Sequence, residues 1–287
     1  LLAADAGLHM IGFAASRHYP DLGELAAHIT CKHRRVPTRV MYAIWNFFEK
    51  PRVDRALGGI DIFHATNYFL PPTLSARRVL TIHDLAFLIE PAWCSPRVVG
   101  PFSGSIRRHA PEADAIMVYS ESTKNDIIRL LDVPGERIHV APMAVDEQFE
   151  PMPRDQAVEY LKQNYGIEPP FLLFVSTLEP RKNVSTLLKA FSRLTEKIPH
   201  CLVMIGTMGW NSSETQAVLN EVNLGDRLVR PGFVPHMKLP AFYCAADAFV
   251  FPTHYEGFGL PLLEALVCGC PVVTANNSSV PEVVGDA

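Results

Sequence analysis

Two carboxylates eight residues apart frame the stretch of this chain best suited to chemistry, YEGFGLPLLEALVCGCPVV, residues 255–273. Glu256 falls in a glycine-flexible loop, whereas Glu264 falls among Leu262, Leu263, Ala265 and Leu266, in what otherwise reads as a buried helix. Pro261 suits a first helical turn and Gly269 a helix end, so the pattern predicts a helix over 261–268. Glu264 then lies one turn in, and its side chain leans back toward the glycine loop. Unpaired N–H groups and the helix dipole favour anionic ligand groups at that point. A carboxylate in apolar company is costly unless partnered, and vicinal sugar hydroxyls, which donate hydrogen bonds in pairs, are suitable partners. The competing reading is a glutamate that only satisfies backbone donors at its own helix N-terminus.

The opposite charge comes from EPRKN, residues 179–183. Arg181 and Lys182 follow an apolar run and precede a helical pattern, a place where guanidinium and ammonium groups meet a phosphate or diphosphate. An isolated Arg-Lys pair is more often a solvated loop feature. Paired cations and two glutamates on loops at one sheet edge, however, describe a pocket for a molecule with phosphates in the middle and hydroxyl-rich ends, such as a nucleotide sugar. Other chemistries lack their spacing. Gly257 and Gly259 give only an incomplete G-x-G fingerprint, and there is no G-x-x-x-x-G-K-[ST], H-E-x-x-H or G-x-S-x-G. No D-x-D triplet is present to hold a metal-bound diphosphate, so no metal site is expected and Arg181 and Lys182 would replace the metal.

These residues need a scaffold. The chain has 287 residues, 48% hydrophobic and 20% charged, enough for one large or two medium domains. A formal net charge of -4 argues against a surface built for nucleic acid. The six cysteines, at 31, 94, 201, 244, 268 and 270, show no C-x-x-C pairing and read as reduced thiols. No run of 18 apolar residues supports a spanning helix, and a cytoplasmic protein is expected. The opening LLAADAG and the closing PEVVGDA both read as interrupted ends.

In the second half, apolar runs alternate with helical patterns: FLLFVS, then Val184, Leu187, Leu188, Phe191 and Leu194 at helical spacing behind a candidate cap, Asn183. CLVMIG, DRLVR, AFVF and PVVTA repeat the theme, with helices near 214–222, 239–245 and from 261. Such alternation predicts a parallel sheet covered on both faces, with ligands in the crevice at the strand carboxyl ends. The first half repeats this through IDIF, RVLTI, AIMVYS and RIHVA, with a helix near 123–131. The stretch APMAVDEQFEPMP is the linker candidate, giving domains 1–148 and 149–287.

EPRKN, then GFV, then EGFGLPLLEALVCGCPVV with its two spaced glutamates, and finally VPEVVGDA resemble the donor half of family 4 of the retaining glycosyltransferases, in the right order over 171–287. DIFHATNYFLPP, TIHDLAF, SESTKNDI and APMAVD extend the resemblance into the first half. It implies an α/β fold of GT-B type, with two Rossmann-like parallel-sheet domains facing across a cleft. It also implies transfer of a hexose from a nucleotide sugar, with no cofactor besides that co-substrate. By the same resemblance Glu256 serves the donor sugar and catalysis, Glu264 the ribose, and Arg181 with Lys182 the diphosphate. Gly257 and the backbone of Phe258, Gly259 and Leu260 approach the donor, Gly232, Phe233 and Val234 line the base, and His83 faces the transferred sugar from the opposite domain. Without the resemblance, His83 and Asp84 read as a strand-ending histidine beside a turn-capping aspartate. The LEPRKN loop resembles those of GDP-mannose users first and UDP-glucose users next. A nucleotide-sugar epimerase of similar form and a catalytically silent donor-binding protein remain as alternatives.

HITCKHRRVPTRVMYAIWNFF, residues 28–48, carries Lys32, Arg34, Arg35 and Arg39, then Tyr42, Trp45, Phe47 and Phe48. A basic segment beside an amphipathic aromatic one could rest on the anionic inner face of a membrane, bringing a glycan or lipid-linked acceptor to the cleft. The bland alternative is a solvated basic loop and a helix whose aromatics enter the core.

Overall fold

The computed structural model describes residues 7–23 and 27–285. The chain divides into two compact units, residues up to 81 with 108–116, and 82–107 with 117 onward. This division differs from the sequence boundary at 148/149. Inside the second unit, Ser120 Oγ donates to the Gly257 carbonyl (2.7 Å), and the Glu282 carboxylate accepts the backbone N–H groups of Glu121 and Ser122 (2.7 and 2.8 Å). These bonds tie 120–122 to the loop at Gly257 and to α11 (Val280–Val284).

In the first unit, β1 (Ile11–Ala15) pairs in parallel with β2 (Thr30–Arg34), and β3 (Ile62–Ala65) with β4 (Arg77–Thr81). β2 makes a strand of TCKHR, which the sequence reading treats as part of a basic segment; its alternating exposure lets Lys32 and Arg34 face water while Cys31 and His33 are half-buried. Helix α1 (Thr38–Phe48) buries Met41 and Trp45 against Val53, Leu57 and Phe69, and α2 (Val53–Ala56) follows. The Tyr42 and Phe69 rings stack with centroids 4.0 Å apart. Asp54, 3% exposed, accepts the N–H groups of Leu74, Ser75 and Ala76, pinning that loop to α2.

The second unit is built on a five-stranded parallel sheet of β7 (Phe171–Val175), β8 (Cys201–Ile205), β9 (Leu228–Gly232), β10 (Ala248–Phe251) and β11 (Val272–Thr274). Their order is β11-β10-β7-β8-β9, so the chain reverses direction of growth between β7 and β10. The strands are near-continuously apolar because both faces are covered; Phe171, Phe174, Phe249 and Phe251 are fully buried. Helix α7 (Val184–Ser192) buries Val184, Leu187, Leu188 and Phe191 as its spacing predicts, whereas Leu194, also expected at that spacing, lies beyond the helix end and is exposed. Asn183 does not cap it through its side chain: it adopts φ 55°, joining a 3₁₀ turn at Pro180–Lys182 to the helix. The unit also holds α3 (Ala86–Ile89), α5 (Glu121–Leu131), β6 (Ile138–Val140), α6 (Arg154–Tyr165), α8 (Ser213–Val222), α9 (Leu239–Ala245), α10 (Leu260–Val267) and α11 (Val280–Val284); α4 (Pro96–His109) and β5 (Ala115–Val118) complete the elements. No helix among the described residues is long and apolar enough to cross a membrane.

Candidate active site

Ligands of doubly wound sheets gather outside the strand carboxyl ends where the strand order reverses, which here is the gap between β7 and β10. The loop after β7 carries Glu179, Arg181 and Lys182; the loop after β10 carries Thr253 and Glu256. The sheet thereby brings EPRKN to the glycine loop. Lys182 Nζ donates to Glu256 Oε1 at 2.7 Å and Arg181 Nη1 donates to Glu256 Oε2 at 3.0 Å. Thr253 Oγ1 donates to Glu256 Oε1 at 2.8 Å. Arg181 Nη1 also donates to the Tyr255 carbonyl (3.0 Å), and its Nε to Glu179 Oε1 (3.1 Å). Lys182 additionally lies over the Phe251 ring, 5.1 Å from its centroid.

Glu256 and Lys182 are 5% and 7% exposed, so neither is the solvated loop charge that an Arg-Lys pair alone suggests. Burial opposes ionisation of Glu256, but Lys182 and Arg181 outweigh it and hold the carboxyl below its usual range. Burial likewise opposes the charge on Arg181, and Glu256, Asp84 and Glu179 together more than restore it.

The glycines of the loop have steric reasons. A Cβ at Gly257 would run into the His83 carbonyl oxygen and come within 2.9 Å of Asp84 Cβ. Gly259, at φ 100°, is the N-cap of α10. That helix starts at Leu260, one residue before the predicted start, with Pro261 still in its first turn. Phe258 is 9% exposed, and its carbonyl and that of Glu256 both accept from Ser279 Oγ (2.9 and 3.0 Å). His83 falls in the same compact unit as this loop; its ring is exposed and lies 5.6 Å from the Tyr119 ring. Asp84 Oδ1 accepts the Ala86 N–H at 3.0 Å, the turn-capping role read from sequence.

Glu264 does not cap its own helix. It is 4% exposed, and its carboxylate accepts from Tyr243 Oη (2.9 Å) and lies 3.1 Å from His236 Nε2. Its partners thus come from α9 and the loop after β9 instead of the Arg181 cluster. Of the three residues expected at the base, Gly232 has φ 81°, Phe233 is 75% exposed and Val234 is buried in the core. The 28–48 segment is divided: Trp45 enters the core, whereas Phe47 and Phe48 are exposed, as are Lys32, Arg34, Arg35 and Arg39.

Sequence reasoning assigned no role to Thr253, Glu179, Ser278, Ser279, Tyr243 or His236. Ser278 Oγ accepts the Glu256 N–H at 3.0 Å. The NNSSV loop that supplies both serines was legible as a post-strand loop at the same edge; Tyr243, inside an apolar helix, has no local signal.

The sequence profile of Glycosyltransferase Family 4 matches residues 3–149, and that of Glycosyl transferases group 1 matches residues 159–287. The chain belongs to glycosyltransferase family 4. Among relatives of this family, the O-antigen chain mannosyltransferase B of Escherichia coli is 34% identical over 228 residues, covering 79% of this chain and 60% of that protein. The chain thus spans less than two thirds of that relative's length. Two solved glycosyltransferase-fold structures share the architecture. Sucrose-phosphate synthase from Thermosynechococcus elongatus has a TM-score of 0.73 at 22% identity, over 98% of this chain and 75% of that one. Anabaena Alr3699/HepE in complex with UDP and glucose has a TM-score of 0.67 at 19% identity, over 91% and 71%. The family 4 chain therefore has the α/β fold of GT-B type, with parallel sheets in two units.

Proposed function

We propose that this family 4 protein is a retaining, metal-independent glycosyltransferase that moves a hexose from a nucleotide sugar to a glycan or lipid-linked acceptor. The observation that carries the reading is the convergence of Arg181 and Lys182 on Glu256 across the β7–β10 gap. In this reading the diphosphate takes over the two cations and leaves Glu256 to the sugar. Departure of the nucleoside diphosphate builds negative charge, which fixed, buried cations stabilise without reorganising. Interactions that strengthen only then raise turnover more than ground-state affinity. Glu264, held by Tyr243 and His236, is positioned for ribose hydroxyls, and His83 stands beside the glycine loop. The acceptor is attacked from the leaving-group face, with a diphosphate oxygen helping to take its proton.

Mannose is the favoured sugar and GDP-mannose the favoured donor, with UDP-glucose next. The name of the Escherichia coli relative and the LEPRKN loop support this order. A functional division near 148/149 is supported by the separate profile matches to 3–149 and 159–287. The enzyme works in the cytoplasm in polysaccharide assembly, resting on the inner membrane face through 28–48; exposed Phe47 and Phe48 beside four exposed basic residues support that contact.

Incubation of the full-length protein with GDP-mannose or UDP-glucose, with and without lipid-linked and glycan acceptors, tests the proposal by mass spectrometry of the products. Transfer with retained anomeric configuration supports it. Acceptor-free isomerisation of the donor, or binding without turnover, overturns it.

A further inference from the structure

Four ionisable side chains meet at the β7–β10 gap, and their formal charges cancel: Arg181 and Lys182 against Glu179 and Glu256. Their side-chain exposures are only 17%, 9%, 3% and 7%. The two carboxylates are held very differently. Glu256 accepts from Lys182, Arg181 and Thr253. Glu179 takes its hydrogen bonds from one described residue, Arg181, whose Nε lies 3.1 Å and Nη2 2.9 Å from the same oxygen, Oε1. Lys182 also favours the charge on Glu179 without a hydrogen bond to it, Glu256 opposes that charge, and the other neighbours bring no cation. Cys94 lies near it and is kept neutral, burial pushing the thiol up to about 11. The loop after β8 approaches through Gly209, where a Cβ would come within 3.3 Å of Glu179 Cβ. Asp84 acts on Arg181, adding negative charge nearby.

The diphosphate of a nucleotide sugar is a diester, with two negative charges and no proton to gain near neutral pH. On Arg181 and Lys182 it turns a neutral quartet into one with a net charge of -2, in surroundings that screen charge poorly. It also competes for the guanidinium on which Glu179 depends. One carboxylate must yield, and the one with a single partner yields first.

We propose that Glu179 takes up one proton from solvent as the diphosphate of a nucleotide sugar settles on Arg181 and Lys182. This rests on the donor-site reading above. Burial already pushes Glu179 above the usual carboxylate range, against the pull of Arg181 and Lys182. Because the bound state binds the proton more tightly than the free state, donor affinity increases as pH falls. The gain is complete below the free-site pKa and gone above the bound-site pKa, and its slope is at most about tenfold per pH unit.

Calorimetric titration of the full-length protein with GDP-mannose, and separately UDP-glucose, in buffers of differing ionisation enthalpy at one pH tests this. The expected result is a binding enthalpy that varies with buffer in the sense of proton uptake, and loss of that variation in Glu179→Gln with binding retained. Binding that is buffer-independent overturns the inference and leaves the donor site standing. Uptake that persists in Glu179→Gln removes Glu179 as the acceptor. Failure of both donors to bind overturns the donor site, and this inference with it. Should Glu179→Gln not fold, difference infrared spectra of the unaltered protein decide: a protonated-carboxyl band appearing on donor addition supports the proposal, and its absence overturns it.

Discussion

Lys182 and Glu256, 74 residues apart in the chain, form a buried ion pair at 2.7 Å. Removing either partner strands a charge, so Lys182→Met and Glu256→Gln should each destabilise the second unit by about 3–5 kcal/mol. Turnover should fall about a hundredfold or more in each. The combined variant should regain part of the stability and none of the turnover, since the pair coupling is lost but the chemistry is not restored. Urea unfolding beside initial rates separates the two effects. Near-normal turnover in either single variant removes that residue from the mechanism.

Tyr243→Phe deletes one hydrogen bond to Glu264 while keeping the ring in its packing. A loss of about 1–3 kcal/mol is expected from the half-partnered buried carboxylate. If Glu264 serves the ribose, the donor KM should rise with little change in kcat, the signature of lost uniform binding. An unchanged donor KM would place Glu264 outside the donor site.

Gly257→Ala drives a methyl into the His83 carbonyl, and backbone cannot swing aside. Activity should drop about a hundredfold because the Glu256 loop must shift. Gly269→Ala is the control: at φ 75° with open space around it, it should cost about 1–2 kcal/mol of backbone strain and leave turnover alone. Equal effects on turnover would refute the steric argument.

Asp54 offers a pH prediction for the first unit. Burial works against its charge, but the backbone N–H groups of Ser75, Leu74, Ala76 and Arg55 outweigh burial and bring its pKa down to about 2. A depressed folded-state pKa adds stability above the unfolded value, near 3.9, which is lost as pH falls toward 2. That contribution is on the order of 2 kcal/mol. Asp54→Asn should therefore lower the melting temperature at pH 7 and flatten its decline between pH 4 and pH 2, as followed by circular dichroism.

Charge reversal at Arg34 and Arg35, or Phe47→Ser with Phe48→Ser, should reduce sedimentation with anionic vesicles several-fold and leave neutral vesicles unaffected. Salt-insensitive sedimentation, or none, would return this surface to ordinary solvation.

Much of the second unit was legible because buried parallel strands are continuous apolar runs, and α9 matches its predicted range, 239–245. β1 and β2 were not read: IGFAA is short and TCKHR is polar, so neither carries the signal of a buried strand. For the site, sequence put Arg181, Lys182 and Glu256 at one sheet edge, and the structure joins them. It could not show that Glu256 already neutralises the cations, because pairing across 74 residues depends on strand order, nor that Glu179, two residues from Arg181, is buried with them. Nor could it give the partners of Glu264, since Tyr243 owes its role to the packing of α9 on α10.

The strand order also sets a timetable. β10 lies next to β7, yet two whole strand-helix excursions, β8 and β9, are made before it emerges. During synthesis from the N-terminus, Arg181 and Lys182 are complete long before Glu256 exists to quench them. A nascent chain halted near residue 245 would hold Arg181 paired with Glu179 but expose Lys182 without its carboxylate, beside an open sheet edge at β7, a species for which chaperones or polyanions would compete. Pairing of β10 covers β7, the loop that follows brings Glu256 to Lys182, and β11 then covers β10.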